Sequence, residues 1–500
     1  MVSSFFGLFT AQRSLSTNQT VMNVISNNIA NANTPGYSRQ NVNLQTSAPF
    51  PQPIKGVYTL PGTFGTGAEI KQITRTRDAF LDAQFRIEVG ALGSYKEILS
   101  AATNVEGTLM EPSDSGISAK LDAFFNSAQE LSLNPESLAV RTNFIQQAID
   151  LSVVFNQQAS ALQDLRDSLV GNENDLTSVE QSKLGMYIVD VNSKLDTLAH
   201  INKQIITLKG NNVEPNDLLD ERDRILDELS NLLPITIDES TIGSVNVSLG
   251  ANQLVAGGIV VNTLFVQNSL NVNDPADVML TGPPIVNVNA DITGGKIGGL
   301  LDIGGNNVGE LTIRGVIERL DTLANEISTA FNALQTAGRY IDSATGQLVD
   351  AAGAFDNIFL GGPPITAANI TVDTNLVNDP NRVAAAVITA ANDEIGSGGQ
   401  ALQMSQLRET LLAGLGNTTF SDYHTSTISN LGVQTKSISD KFNSQETLLN
   451  QIDLRRESIS GVNMDEELVD LIRFQRAFEA SSRVMTTING ILDVLINRML

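Results

Sequence analysis

Side chains able to do acid–base, nucleophilic or metal chemistry are few in this 500-residue chain. There is no cysteine and there are two histidines, His200 and His424. Disulfides, thiolate metal sites and a cysteine nucleophile are therefore excluded. Any His-ligated metal or Ser-His pair would have to use one of the two histidines. His200 lies in Leu198-Ala199-His200-Ile201 on an expected helix, without HExxH spacing, and His424 follows Tyr423 beside an expected loop. Both read as surface or half-buried residues rather than ligands. The acidic run Asp217, Asp220, Glu221, Asp223, Asp227 and Glu228 lacks the turn glycine and alternating ligands of a calcium loop. It reads as a solvated helix face, with Asp220 and Arg224 as an i,i+4 pair. Gly294-Gly295-Lys296-Ile297-Gly298-Gly299 lacks the order of a phosphate loop and reads as turn geometry. No catalytic constellation, cofactor site or metal site emerges, and the expectation is a protein that is not an enzyme.

Composition narrows the classes further. With 31 basic and 55 acidic residues the net charge is −24, which argues against a general nucleic-acid or anionic-membrane binder. Hydrophobic residues make up 41%, enough for folded domains, but aromatics are only 5% and tryptophan is absent, thin for an aromatic-lined pocket. No apolar run is long enough to span a membrane, so no membrane insertion is expected. The apolar patch Phe5–Phe9 has no basic segment before it and no A-x-A pattern after it, so export, if any, would not use an ordinary signal peptide. Charge is also unevenly spread. Residues 1–68 contain no acid, only Arg13, Arg39 and Lys55; the last thirty hold Arg473, Arg476, Arg483 and Arg498 against Glu479 and Asp493. The acidic excess thus lies wholly in the middle, as if both ends were covered by other chains.

The elements that would position these residues follow from periodicity. Leu8, Ala11, Leu15, Asn18, Met22, Ile25, Ile29 and Ala32 alternate steps of three and four, a coiled-coil seam. This helix should stop at Thr34, before Pro35-Gly36 in a type II turn. Residues 37–77 read as extended and loop structure with a strand at 68–73. Helical periodicity returns from Asp78 and continues, with breaks, to Leu233. From Pro234 to about residue 300 short Val/Ile/Leu runs alternate with Gly, Asn, Asp and Pro, a β pattern. A helix follows at about 308–337, then mixed structure to about 400. The last hundred residues are helical again, broken at Ser460-Gly461-Val462-Asn463, with Asn463 as cap and Asp465, Glu466 and Glu467 as first-turn acids. The final seam is Leu471, Phe474, Phe478, Ser481, Met485, Ile488, Leu492, Leu495 and Met499.

The expected fold class is mainly α with an inserted β domain: terminal coiled-coil helices, an elongated helical-bundle shaft and an outer β-rich domain. The expected segments are 1–77, an N-terminal helix and extended stretch pairing with 462–500; 78–234 and 401–461, the two parts of the shaft; 235–305, the β-rich outer domain; and 306–400, a mixed bridging region. A first helix paired only with the last has a narrow core, marginal alone and stable when many copies pack together. That is the logic of a polymer subunit.

Ser26-Asn27-Asn28-Ile29-Ala30-Asn31-Ala32-Asn33-Thr34-Pro35-Gly36-Tyr37-Ser38-Arg39-Gln40 resembles the signature of bacterial flagellar axial proteins, and its Thr-Pro-Gly-Tyr-Ser-Arg-Gln ending resembles the hook-associated members. Residues 216–223 (NDLLDERD), 460–467 (SGVNMDEE) leading to Arg473-Phe474-Gln475-Arg476-Ala477-Phe478, and Ser113-Asp114-Ser115-Gly116 ahead of Phe124-Phe125-Asn126 resemble the same family in order. The resemblance implies an extracellular structural subunit of the flagellum at the hook–filament junction, exported from the cytoplasm through the flagellum's type III channel without a cleaved signal peptide. It implies as partners further copies in a tubular layer, the hook protein, a second junction protein and a dedicated cytoplasmic export chaperone, with no nucleic acid. The expected tube-wall contacts are Leu8, Leu15, Met22, Ile25, Ile29, Phe478, Met485, Ile488, Leu492 and Leu495, beside the family turn Asn33, Thr34, Pro35, Gly36, Tyr37, Ser38 and Arg39. The alternative within the same resemblance is another axial protein, such as the second junction protein or a rod or hook component.

Overall fold

The structure, a computed structural model, describes residues 6–49, 64–109, 111–172, 175–240, 243–267, 276–305, 312–351, 357–388 and 395–497. The chain opens with α1 (Phe6–Ala30), β1 (Gln40–Thr46), β2 (Ala68–Arg75) and α2 (Ala79–Leu109). It continues through α3 (Ile117–Leu133), α4 (Leu138–Val170), α5 (Leu176–Gln181), α6 (Lys183–Gly210) and α7 (Asn216–Leu232). Then come β3 (Ile235–Glu239), β4 (Val245–Leu249), β5 (Asn252–Ala256), β6 (Ile259–Val260), β7 (Leu264–Gln267), β8 (Asp277–Leu280) and β9 (Val286–Asn287). Next are α8 (Gly295–Gly304), α9 (Ile313–Thr336), β10 (Gly338–Ile341), β11 (Leu348–Asp350), β12 (Phe359–Leu360), β13 (Thr371–Val372), α10 (Thr374–Asn378) and β14 (Ala386–Val387). The chain ends in α11 (Gly399–Gln406), α12 (Phe420–Ser460) and α13 (Met464–Asn497). The fold is mainly α with inserted β structure.

These elements cluster into two compact units. One comprises Met1–Gly90, Val191–Thr263 and Gln445–Leu500; the other comprises Ala91–Asp190 and Leu264–Ser444. In the first, α1 and α13 run antiparallel, and β1 and β2 form an antiparallel hairpin from Gln40↔Arg75 to Thr46↔Ala68, with a bulge between Asn43 and Leu44. The sheet β3-β4-β5-β6 completes it. Strand β4 alternates buried Val245, Val247 and Leu249 with half-buried positions, a period of two that puts one face in the core. The wholly buried Asn202 of α6 donates to the carbonyls of Val245 (2.9 Å) and Gly257 (2.7 Å) and accepts from the Val245 amide (3.2 Å), so its burial leaves no amide atom unpaired.

In the second unit a phenylalanine cluster joins α3, α4, α9, β12 and α12. The Phe124 ring lies 5.1 Å from Phe144, 4.7 Å from Phe331 and 5.7 Å from Phe359, and Phe125 lies 6.1 Å from Phe420. The buried Arg141 of α4 donates to the carbonyls of Pro135, Asn381 and Val383 at 2.6, 3.0 and 2.6 Å. Burial pushes its pKa down to about 10, against a weaker pull from Asp379.

Three expectations change on the structure. Helix α1 ends at Ala30, four residues before Thr34, because the Asn31 side chain and amide both bond the Asn27 carbonyl and a run of turns begins. The turn itself is type II: Gly36 has φ +82° and the Tyr37 amide donates to the Thr34 carbonyl. The Gly294–Gly299 stretch is the start of α8, not a loop, and a Cβ on Gly299 would meet the Ser94 carbonyl oxygen of α2 at 2.5 Å. The segment 235–305, expected as one β-rich domain, holds two separate sheets, β3-β4-β5-β6 and β7-β8-β9, which fall in different units.

Candidate assembly site

The seam read at each end of the chain is brought together with the other. On α1, Leu8, Leu15, Met22 and Ile29 are half-buried and Ile25 is buried; on α13, Phe478, Met485, Ile488 and Leu492 are half-buried, as are Leu471, Phe474 and Ser481. Ser14 and Ser481 hydroxyls bond at 2.9 Å, and a Cβ on Gly7 would meet Ile488 at 3.0 Å. These residues thus face one another inside one chain. The side chain of Leu495 and all of Met499 lie outside the described residues. The solvent side of α13 carries apolar residues that the seam pattern omitted: Leu468, Val469, Ile472, Val484, Ile491 and Val494, all at least 45% exposed. Helix α1 is also held to the hairpin, with Thr17 donating to the Ala68 carbonyl.

At one end of the seam a polar node replaces apolar packing. Asn28 donates through Nδ2 to Glu467 Oε2 and to the Gln40 carbonyl, both at 3.0 Å, and through Oδ1 accepts from the Gln40 amide (3.0 Å) and the Tyr37 hydroxyl (2.8 Å). Glu467, 2% exposed, is paired with Arg39 Nε at 2.7 Å, and Arg39 Nη1 reaches Glu466 at 2.9 Å. Glu467 sits four residues before Leu471, on the same stripe as Phe474 and Phe478, so helical geometry aims its carboxylate into the pair. Burial, then the negative charges of Asp217, Asp220 and Glu467, pushes the Tyr37 hydroxyl up to about 12. Asn463 caps α13 through the Asp465 and Glu466 amides at 3.0 and 3.4 Å, as its position before the first turn implied.

The turn next meets α7. Asp220 accepts from the Ser38 amide (3.0 Å) and hydroxyl (2.7 Å), and Asp217 accepts from Gln40 Nε2 at 3.0 Å. The acidic run is therefore not a solvated face throughout: Asp220 and Asp223 are buried, and Asp227 is half-buried. Asp223 is surrounded by Arg75 (2.6 Å), Arg222 (3.1 Å), Arg77 (3.3 Å) and Arg86 (3.4 Å). Burial alone would raise its pKa, but these four guanidiniums outweigh it and hold the carboxyl well below the usual range. Arg456 of α12 bridges Asp82 and Asp227, both at 2.9 Å, over the Phe85 ring. Asp220 pairs with Arg75, whereas Arg224 takes Glu221 and Glu228. Spacing held part of this signal: Asp220, Asp223 and Asp227, at i, i+3 and i+7, share one helical face with buried Leu219 and Leu226 beside it.

The histidines stand apart from this site. His200 is exposed. His424, expected at the surface or half-buried, is 1% exposed within α12; its Nδ1 lies 3.0 Å from the Ser118 hydroxyl and its Nε2 has no hydrogen-bond partner among the described residues. It shares a buried stripe of α12 with Thr427, Leu431 and Thr435, at i+3, i+7 and i+11, which is why it is inside. Among the described residues, no group of three or more His, Asp or Glu is placed to hold a metal ion. The charged cluster is internally neutralised, and what it does is fasten the family turn, α7, α2, α12 and the root of α13 together.

The same segments carry the likeness to known proteins. A family described as flagella basal body rod protein matches residues 8–37, and the C-terminal family of flagellar basal body rod FlgEFG proteins matches 456–499. The helical-domain family of flagellar hook-associated protein FlgK matches 102–349. Flagellar hook-associated protein 1 of Bacillus subtilis is 29% identical over 527 residues, covering all of this chain and 99% of that one. The protein of the same name from Escherichia coli is 26% identical, covering 97% of this chain and 98% of its own length. The flagellar hook junction protein FlgK of Burkholderia pseudomallei shares the fold, with a TM-score of 0.60 at 15% identity over 75% of this chain and all of that structure. With both ends matching rod-type families, the middle matching the hook-associated helical domain, and relatives aligned along its whole length, the chain is similar from end to end to flagellar hook-associated protein 1.

Proposed function

We infer that this protein is a structural subunit of the bacterial flagellum, forming the layer that joins hook to filament. The observation that carries the reading is the antiparallel α1–α13 pair, locked to the family turn by the Asn28–Glu467–Arg39 node. A two-helix pair buries one stripe of each helix and leaves Val469, Ile472 and Ile491 of α13 in water. Packing many such pairs side by side removes that surface, which is the form a tubular layer takes. The role is one of packing rather than catalysis. The seam residues Leu8, Leu15, Met22, Ile25, Ile29, Phe478, Met485, Ile488, Leu492 and Leu495 build the pair that forms the inner wall, and the exposed α13 residues meet neighbouring copies. Hook protein below, a second junction protein beyond, and a cytoplasmic chaperone before export complete the set of partners, and the protein works outside the cell after type III export. A deletion strain viewed by electron microscopy tests this, with the medium assayed for flagellin. Complete hooks lacking filaments, with monomeric flagellin in the medium, support the junction; missing hooks move the protein to the rod; normal filaments refute the role.

A further inference from the structure

A groove of about 1130 Å³ opens beside the family turn. Residues 32–38 line one part of it and residues 453–463 another, with α7 and the start of α2 contributing the rest. Its three guanidiniums are committed within the chain: Arg77 and Arg456 to Asp82, Asp223 and Asp227, and Arg224 to Glu221 and Glu228. Two of its acids are not. Asp453 and Glu457, one turn apart on α12, are exposed and meet no cation among the described residues. The groove thus offers a pair of unneutralised carboxylates beside the exposed, uncharged turn Asn33-Thr34-Pro35-Gly36.

The complementary surface is on α13. Arg473, Arg476 and Arg483 are exposed, and their spacing of three and seven keeps them on one face, turned away from the seam that binds α1. Arg473 has only Asp470 nearby, at 3.9 Å, and no carboxylate lies in ion-pair range of Arg476 or Arg483 among the described residues. A chain cannot place this face in its own groove. Arg473 is already ten residues past Asn463, about 15 Å along the helix axis, and the seam ties α13 to α1.

We propose that the groove between the family turn and the end of α12 receives the basic face of α13 from a second copy of this chain. Asp453 and Glu457 pair with Arg476 and Arg483 of the neighbour. This rests on the junction reading and gives it a specific contact between copies. It also accounts for the charge split along the sequence, in which the last thirty residues, with four arginines against two acids, meet an acidic middle.

The test is a charge exchange in the full-length chain, expressed in a strain whose own copy is deleted and measured in purified flagella and in the medium. The unaltered chain must restore filaments; its failure would sink the junction reading itself. Asp453→Lys with Glu457→Lys should be exported yet lower incorporation about tenfold, and so should Arg476→Glu with Arg483→Glu, since like charges would then face each other. All four changes together should return incorporation to near the unaltered level. Normal incorporation of both reversals, or no recovery when they are combined, overturns the contact. A loss confined to the acidic reversal means the groove holds something other than a second copy, and also overturns it. Where a reversal lowers the helix content of the purified chain, Asp453→Asn with Glu457→Gln is measured alone and should also lower incorporation; incorporation equal to that of the unaltered chain overturns the contact.

Discussion

Asp223 is the residue on which the buried cluster turns. Its pKa is depressed in the fold, so the stabilisation it provides is complete above the ordinary aspartate value, about 3.9, and is lost as pH falls through the depressed one. Thermal melts should therefore change little through this group from neutral pH down to about 4 and fall below that. Asp223→Asn should cost about 3–5 kcal/mol at neutral pH, because four guanidiniums lose a buried counter-charge, and should flatten the acid limb. Glu479→Gln, at an exposed position without an ion pair among the described residues, should leave the melt where it is. An Asp223→Asn chain as stable as the parent would show the cluster to be dispensable. This cluster was only half legible in the sequence. Spacing put three aspartates on one face of α7 with Arg222 beside them, but Arg75 comes from β2, Arg77 from the link after it, Arg86 from α2 and Arg456 from α12, and nothing local in the chain announces that these converge. The burial of His424 is less legible, because the stripe it shares with Thr427, Leu431 and Thr435 is mostly polar and carries little apolar period.

At the scale of elements, the terminal seams were readable because a three-four repeat of apolar residues needs no knowledge of the partner. What periodicity could not supply was where register is set. A seven-residue repeat packs nearly as well when slipped by one heptad; the buried Asn28–Glu467 contact does not. The sheets show the same limit: alternation marked strands over 235–300, but pairing divides them between β6 and β7. Two substitutions separate the inner from the outer surface of the pair. Ile25→Asp places a carboxylate in the seam and should release α1 from α13 in the free protein, blocking incorporation while far-UV circular dichroism shows the remaining helices intact. Ile472→Asp, on the outer side, should leave the free pair intact and block incorporation alone. Normal incorporation of Ile25→Asp would remove the seam from the assembly altogether.

For the whole molecule, the proposed assembly implies a subunit whose ends are completed by its neighbours. The cations of the first unit that carry the cluster, Arg75, Arg77, Arg86, Arg222 and Arg456, are largely buried and ion-paired, whereas Arg473, Arg476 and Arg483 stand in solvent on a helix held along one stripe. Local opening is cheapest where few contacts protect the backbone, and cleavage follows such opening. Trypsin acting on the free protein should therefore cut first at those three arginines of α13. Loss of α13 removes the partner of α1, so the next cut should fall at the exposed Arg13, leaving a resistant product that retains the helices from α2 to α12. In intact flagella the same three sites should resist if neighbouring copies cover them as proposed. Mass spectrometry of timed digests distinguishes the cases. Termini as durable as residues 91–444 in the free protein would mean the pair is complete in a single chain, and the exposed apolar face of α13 would then need some purpose other than assembly.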